Sequence, residues 1–147
     1  MIVAVFILTV VLSALITVNN LYIKSSGANI KSTKAAYLAS EGIEAIKTIR
    51  DSNWEDIKAI STSTSNYLYF NNTLSKWSAT STIEIIQSGF LRHFTIGDVY
   101  RDSNGDISVS GTYDANTKKI IVYISWETPL GQGMEKKITT YISNIFE

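Results

Sequence analysis

Hydrophobic and polar positions divide the chain into three stretches. Residues 1–23, the apolar segment, contain no charged side chain, and twelve of the first eighteen are Ile, Val, Leu or Phe. Within residues 24–53 the apolar residues begin to recur at intervals of three or four positions. This spacing predicts an amphipathic helix that continues the first stretch. Residues 54–147, the head, are rich in β-branched and aromatic residues. The pattern predicts an α+β fold in which a long N-terminal α-helix packs on an antiparallel β-sheet head.

The apolar segment is long enough to cross a membrane. Its 23 residues form a helix of about 34 Å, and the hydrocarbon core of a bilayer is roughly 30 Å thick. The twelve large apolar residues favour insertion by on the order of 4 to 7 kcal/mol. The hydroxyls of Thr9, Ser13 and Thr17 can bond back to carbonyls within the helix. The segment is therefore either a membrane anchor or a helix buried among copies of itself.

Two other interpretations of this segment fit less well. A secretory signal peptide would have a basic residue before a shorter apolar region, whereas here no Lys or Arg precedes the apolar segment and the segment is too long. No small-residue cleavage site stands out before Lys24. A core helix of a soluble domain is rarely apolar on all sides. Lys24, Lys31 and Lys34 follow the segment, and no acid occurs before Glu41. The positive-inside rule then predicts a cytoplasmic head, and a basic leader before Met1 would reverse that orientation.

The amphipathic part of the helix has one predominantly apolar side, which begins at Ala35 and predicts the contact with the sheet. Asp51-Ser52-Asn53 is expected to end the helix. Glu44 and Lys47 are spaced to form an ion pair along the helix surface, and so are Lys47 and Asp51. The residues predicted to pack against the head are Leu38, Gly42, Ala45, Ile46 and Ile49.

The head begins with a loop rich in Ser and Thr over residues 57–66 and continues with alternating strand and turn signals. Asn104-Gly105 is a strong hairpin signal. Asp114-Ala115-Asn116 and Pro129-Leu130-Gly131 have ordinary turn chemistry. The short connections favour an antiparallel meander covered on one face by the helix. The predicted strands are Tyr67–Phe70, Thr82–Ile86, Phe90–Val99, Ile107–Tyr113, Ile120–Trp126 and Lys137–Ile145.

Composition and charge reduce the number of functional classes to consider. Lys plus Arg and Asp plus Glu both number 13, so the net charge is zero and no nucleic-acid surface is indicated. The absence of cysteine excludes a disulfide framework and thiol catalysis. His93 is the only histidine, so no transition-metal site is expected. The sequence contains no nucleophile elbow and no dinucleotide-binding glycine pattern, and we expect neither enzymatic activity nor a cofactor.

Two motifs are weaker candidates for chemistry. Asp102, Asn104 and Asp106 alternate around the hairpin signal in the manner of a calcium loop, but the distal bidentate Glu is missing, so a plain hairpin turn is favoured. Asn71-Asn72-Thr73 is a glycosylation sequon, with Asn71 as the candidate acceptor.

Residues 35–54, with the sequence AAYLASEGIEAIKTIRDSNW, resemble the helix end of bacterial type IV pilins and pilin-like proteins. In that family A-x-x-L-A-x-E-x-I-E followed by I-R-D-x-x-W is common. Residues 99–107 and 118–126 are similar to the strand-turn-strand portion of the same proteins, and the resemblance extends over the whole chain. It implies a pilin-like fold.

The start of the chain departs from the family pattern. Pilins are made with a short basic leader and a motif that ends in Glu, and a membrane peptidase cuts within the motif and methylates the new N-terminus. Residues 1–8 are similar to the apolar residues that come directly after that Glu in the family. We therefore expect the sequence to begin just after the Glu; the alternative is a pilin-like protein that lacks it.

The resemblance implies a structural subunit of a type IV pilus or related extracellular filament. Such a subunit sits in the inner (cytoplasmic) membrane and then joins a helical homo-oligomer at the cell surface, through machinery with a prepilin peptidase and a separate ATPase motor. The alternatives are a minor pilin, a type II secretion pseudopilin or a single-pass anchor that carries a β-rich binding domain. The expected filament-core residues are Ile2, Val3, Val5, Phe6, Ile7, Leu8, Val11, Leu12, Leu15, Ile16 and Val18.

Overall fold

A computed structural model describes residues 1–86, 89–128 and 131–146, and it confirms the predicted α+β fold. Helix α1 (Ile2–Ser52) contains 51 residues, and helix α2 (Trp54–Lys58) follows it directly. The strands are β1 (Tyr67–Asn71), β2 (Lys76–Thr80), β3 (Ile85–Ile86), β4 (Phe90–Arg101), β5 (Ile107–Ser108), β6 (Thr112–Glu127) and β7 (Gly133–Ser143).

Contacts divide the chain into two compact units, Met1–Lys34 and Ala35–Glu147. The first unit is the N-terminal part of α1. The second contains the rest of α1, α2 and all the strands, so the packing of helix on sheet lies within it. The predicted division after residue 53 follows secondary structure rather than contacts and stays a prediction.

The main sheet of the second unit is antiparallel and has five strands. Its order is β3-β4-β6-β7, and β5 pairs with the far end of β4. The long ladder between β4 and β6 runs from Phe90 opposite Trp126 to Arg101 opposite Thr112. Strands β1 and β2 form a separate antiparallel hairpin, joined to β4 by a single bridge between Asn66 and Phe94.

The core forms where the second half of α1 covers one face of this sheet. Small residues on the helix, such as Ala35 and Ala39, are fully buried and permit close approach of the helix to the strands. Alternate residues of β4 and β6 point toward the helix, which is the period-2 pattern of a half-buried sheet. The largest fully buried side chains are Phe94, Ile46, Ile57, Ile120, Ile124 and Val122.

Gly42 lies at a close contact between α1 and the sheet. A Cβ atom at this position would lie 3.1 Å from Arg92 Cδ and 3.1 Å from Val122 Cγ1. We expect Gly42→Leu to lower the free energy of unfolding of the second unit by about 1–3 kcal/mol, because overpacking displaces both side chains. Chemical denaturation of the full chain in mild detergent measures the effect. Gly27→Leu is the matched control, since a Cβ there meets nothing within 4 Å; equal stability of both variants would contradict the prediction.

Several predicted elements differ from the structure. Helix α2 was not predicted; it follows the predicted helix end and includes the first two residues of the predicted loop. Asn53 caps it, with its side-chain oxygen accepting a hydrogen bond from Glu55 N at 3.1 Å. Strand β2 was not predicted, because its sequence is short and polar. The predicted strand Thr82–Ile86 is reduced to β3, and the predicted strand Ile107–Tyr113 is broken after Ser108.

The predicted turn at Asp114-Ala115-Asn116 is wrong, since these residues lie within the continuous strand β6. Asp98 pairs with Lys118 but the next residue, Val99, pairs with Asp114, so residues 115–117 form a bulge. Asp114 Oδ1 still accepts a hydrogen bond from Asn116 N at 3.0 Å, the bond typical of a turn. The hydrogen bond of a turn is therefore present, but it lies at a bulge within a continuous strand.

The hairpin at Asn104-Gly105 is confirmed: β4 and β5 pair across it, and Gly105 has a φ of 87°. The third predicted turn has Pro129 and Leu130 outside the described residues. Its third residue, Gly131, donates a backbone hydrogen bond to Thr128 O at 2.9 Å.

Candidate assembly surface

Residues 1–23 of the first unit expose an uncharged, predominantly apolar surface on all sides of the helix. Every residue from 1 to 25 is exposed, and α1 is long and apolar enough to cross a membrane by length and composition. Phe6 is 68% exposed and Leu12 is 50% exposed. An apolar surface of this extent marks a site that another molecule or a lipid phase covers. The predicted filament-core residues that lie on this surface are Ile2, Val3, Val5, Phe6, Ile7, Leu8, Val11, Leu12, Leu15, Ile16 and Val18.

The Ser and Thr hydroxyl groups of the apolar segment are satisfied within the helix. Thr9 Oγ1 donates to Phe6 O at 2.8 Å, and Ser13 Oγ donates to Val10 O at 2.8 Å. Thr17 Oγ1 donates to Ser13 O at 2.9 Å. Burial of this helix in lipid or among other helices therefore leaves no hydroxyl donor of these residues without a partner.

The residues predicted to pack on the head lie where α1 meets the sheet. Leu38 is partly buried, and the other four, Gly42, Ala45, Ile46 and Ile49, are buried. The predicted ion pair between Glu44 and Lys47 is present at 2.7 Å, whereas Asp51 pairs with Arg50.

Arg92 is a buried charge that the sequence did not single out. Its Nη1 donates to Leu38 O at 3.2 Å and lies 3.3 Å from Glu41 Oε1. The guanidinium carbon lies 5.5 Å from the centre of the Trp77 ring, a cation–π geometry. Arg92 therefore connects α1, the main sheet and the β1–β2 hairpin. The sequence held one signal of this burial: Arg92 lies between Phe90 and Phe94 at the alternate positions that share one face of β4.

A cationic side chain is paired at each side of the β6 bulge. Lys118 Nζ donates to Asp98 Oδ1 at 2.5 Å and to Tyr113 Oη at 3.0 Å. Burial lowers the pKa of Lys118, but the hydrogen bonds and charges of Asp98 and Tyr113 outweigh it and raise the pKa above its ordinary value. Lys118 is therefore held in the charged state.

Arg101 pairs with Asp114 on the same bulge, with Nε 2.6 Å from Oδ2. Burial acts to raise the pKa of Asp114, but hydrogen bonds from Arg101, Thr117 and the backbone of Asn116 outweigh it and lower the pKa. The two ion pairs therefore stabilise the bulge as part of the fold.

His93 stacks on Tyr123 with ring centroids 4.7 Å apart and planes 4° apart, and it also contacts Tyr67. Burial lowers the pKa of His93 from its ordinary value, and the charge of Glu135 opposes this only in part. The neutral imidazole is therefore the form that the folded protein favours.

This pKa shift predicts a pH dependence of stability. Because the folded pKa lies below the unfolded value of 6.5, unfolding takes up a proton as the pH falls. The contribution of His93 is complete above about pH 7 and declines as the pH falls through 6.5 toward the folded pKa. Denaturation of the full chain between pH 7.5 and 5.5 measures it. His93→Gln should remove this component of the slope; an unchanged slope would contradict the assignment.

Asn71, the candidate glycosylation residue, is half-buried at the end of β1. Its Oδ1 accepts hydrogen bonds from Thr73 N at 3.0 Å and Leu74 N at 3.1 Å, which shapes the turn into β2. The Asn71 side chain therefore stabilises the turn between β1 and β2, and its glycosylation stays a prediction.

The calcium-like sequence forms the β4–β5 turn. Asp102 Oδ1 accepts hydrogen bonds from Asn104 N at 2.8 Å and Asp106 N at 3.0 Å. Arg101 Nη1 donates to Gly105 O at 2.8 Å in the same turn. No group of three or more His, Cys, Asp or Glu side chains suited to a metal ion occurs among the described residues.

The fold has a pilin-like architecture, with a long N-terminal apolar helix whose second half packs on an antiparallel sheet. Comparisons with models of protein families, with curated proteins and with solved structures find no match for this chain.

Proposed function

We propose that the chain is a structural subunit of a type IV pilus or related extracellular filament and polymerises through its apolar segment. One observation carries the proposal. The second half of α1 packs on the core of the head, whereas residues 1–25 of the chain are exposed and have Lys24 as their one charged side chain. A surface of this kind requires cover from outside the chain.

A membrane provides that cover before assembly, and sister helices provide it afterwards. Lipid tails are as apolar as Leu, so leaving the bilayer for a bundle of similar helices costs little hydrophobic free energy. Close packing of side chains such as Ile7 and Leu12 then stabilises the bundle. A subunit that repeats one such contact without closing produces a fibre.

The resemblance of residues 35–54 to the pilin helix supports assembly by copies over a simple anchor. It also implies the remaining partners: a prepilin peptidase, an inner-membrane assembly platform and a separate ATPase motor. The chain has no phosphate-binding P-loop of its own and so relies on that motor. A minor pilin or pseudopilin would use the same surfaces at lower abundance.

A single-pass anchor with a β-rich binding domain is the second candidate, favoured by the length of the apolar helix alone. The two functions differ in where the chain is found. Electron microscopy of material sheared from producing cells, combined with peptide mass spectrometry, separates them. The filament proposal expects fibres that contain this chain as a main component; a chain confined to the membrane fraction, with no fibres, would support the anchor.

A further inference from the structure

A cleft of about 400 Å³ lies within the second unit, between β2 and α2. Its volume falls within the range of about 300–1,000 Å³ that is usual for binding sites. One wall consists of the six successive residues 76–81. The rest of the lining comes from Asp56 of α2, from Ala59, Ile60 and Ser61 after it, and from Ile49 and Asn66.

The lining of the cleft includes all five residues of β2 and Ser81 after it. Because side chains of a strand point alternately to opposite faces, a run of successive lining residues is the pattern expected of a cleft along the edge of the strand. Among the described residues β2 pairs with β1 alone, which leaves its second edge toward the cleft without a partner strand. A row of backbone donors and acceptors at an unpaired edge is matched by an extended peptide.

The chain itself presents a suitable segment. Ile145 and Phe146 are 54% and 64% exposed, and they are the only consecutive large apolar residues exposed in the described head. In its own subunit this segment is bent beside β6 of the main sheet, where Asn144 N donates to Asn116 O at 2.9 Å and Phe146 N donates to Asn144 Oδ1 at 3.1 Å. The segment considered for the cleft is therefore that of a second copy.

We propose that the cleft receives the segment Asn144-Ile145-Phe146 of a second copy, which gives up the hydrogen bond from Phe146 N to Asn144 Oδ1 and extends as a strand beside β2. Trp77, Ile49 and Ile60 offer apolar contacts for its two large side chains. Asp56 and Lys76 balance in charge, which suits an uncharged segment. Each copy carries one donor segment and one acceptor cleft, so the contact is heterologous and open-ended. The proposal deepens the proposed function, because it names a contact between heads in the filament.

Cysteine cross-linking tests this contact directly, because the chain contains no cysteine. A full-length chain with Ser78→Cys and Ile145→Cys is oxidised both in assembled material and in mild detergent. The expected result is a ladder of dimers, trimers and larger species on non-reducing gels that collapses with reductant. The matched control combines Ser78→Cys with Val109→Cys, since Val109 is 99% exposed but lies outside the donor segment. Addition of Phe146→Asp to the first pair should reduce the ladder about tenfold.

Each outcome decides the proposal. A ladder no stronger than that of the control, a cross-link within one chain, or dimers alone would overturn the contact. Fibres without the specific ladder would remove the contact and leave the filament function standing. A specific ladder in detergent without fibres in cells would support the contact and count against the filament.

Discussion

Replacement of Leu12 by Asp is expected to abolish filaments and to leave the second unit folded. An acidic side chain at the centre of an apolar helix costs about 2.5–3.5 kcal/mol. In a bundle of copies this cost recurs in every subunit and is increased by repulsion between neighbouring carboxylates. Leu12 is 50% exposed and belongs to the first unit, so the core of the second unit does not depend on it.

Electron microscopy of sheared material measures the loss of fibres, and circular dichroism of the purified chain measures folding. Leu74→Asp is the matched control, because Leu74 is 61% exposed in the turn of the β1–β2 hairpin. We expect that variant to retain fibres. Ile7→Asp should behave like Leu12→Asp. Normal fibres from either variant of the apolar segment would show that this helix is not buried in the filament.

Replacement of Phe94 by Ala should have the largest effect on folding. Phe94 is fully buried in β4, and its backbone also forms both hydrogen bonds of the bridge to Asn66. Removing a buried Phe side chain costs about 3–5 kcal/mol, out of about 5–15 kcal/mol for a typical domain. Urea denaturation of the full chain in mild detergent measures the change in the free energy of unfolding.

Phe6→Ala is the control for this substitution, because Phe6 is 68% exposed in the first unit. We expect it to leave the denaturation of the second unit unchanged and to act only on assembly. A small effect of Phe94→Ala, or an equal effect of the two variants, would contradict the assignment of the core.

The long helix and the central strands could be predicted because their signals are local. No Pro interrupts residues 2–52, and the apolar spacing persists to Ile49, so one helix of about 50 residues was the expected result. Strand β4 has alternating burial and ends within two residues of its predicted end. The Asn104-Gly105 hairpin depends only on turn chemistry.

The bulge and β2 could not be predicted, because both depend on partners distant in sequence. Asp114-Ala115-Asn116 has the residues of a turn, and it lies within a strand because the residues on either side of it are paired, Asp114 with Val99 of β4 and Thr117 with Ser143 of β7. Strand β2 is too polar to be recognised without β1 beside it.

The candidate assembly surface was predictable in part. The uncharged run of residues 1–23 is visible in the sequence, and the structure adds that its side chains are exposed all round. The cleft beside β2 was not predictable, since it arises from the placement of α2 opposite a strand edge. Arg92 was missed because one charged residue in an apolar strand does not reveal its partners.

The environment of Leu12 in lipid-free fibres tests the central claim most directly. A chain with Leu12→Cys, assembled, sheared from cells and freed of lipid, is treated with a membrane-impermeant maleimide; a Val109→Cys chain serves as the reactive reference. We predict that Val109→Cys is labelled fully and that Leu12→Cys is protected until detergent disassembles the fibres. Equal labelling of both positions in intact fibres, or recovery of the chain only as single molecules in the membrane, would contradict burial of the apolar segment among its copies.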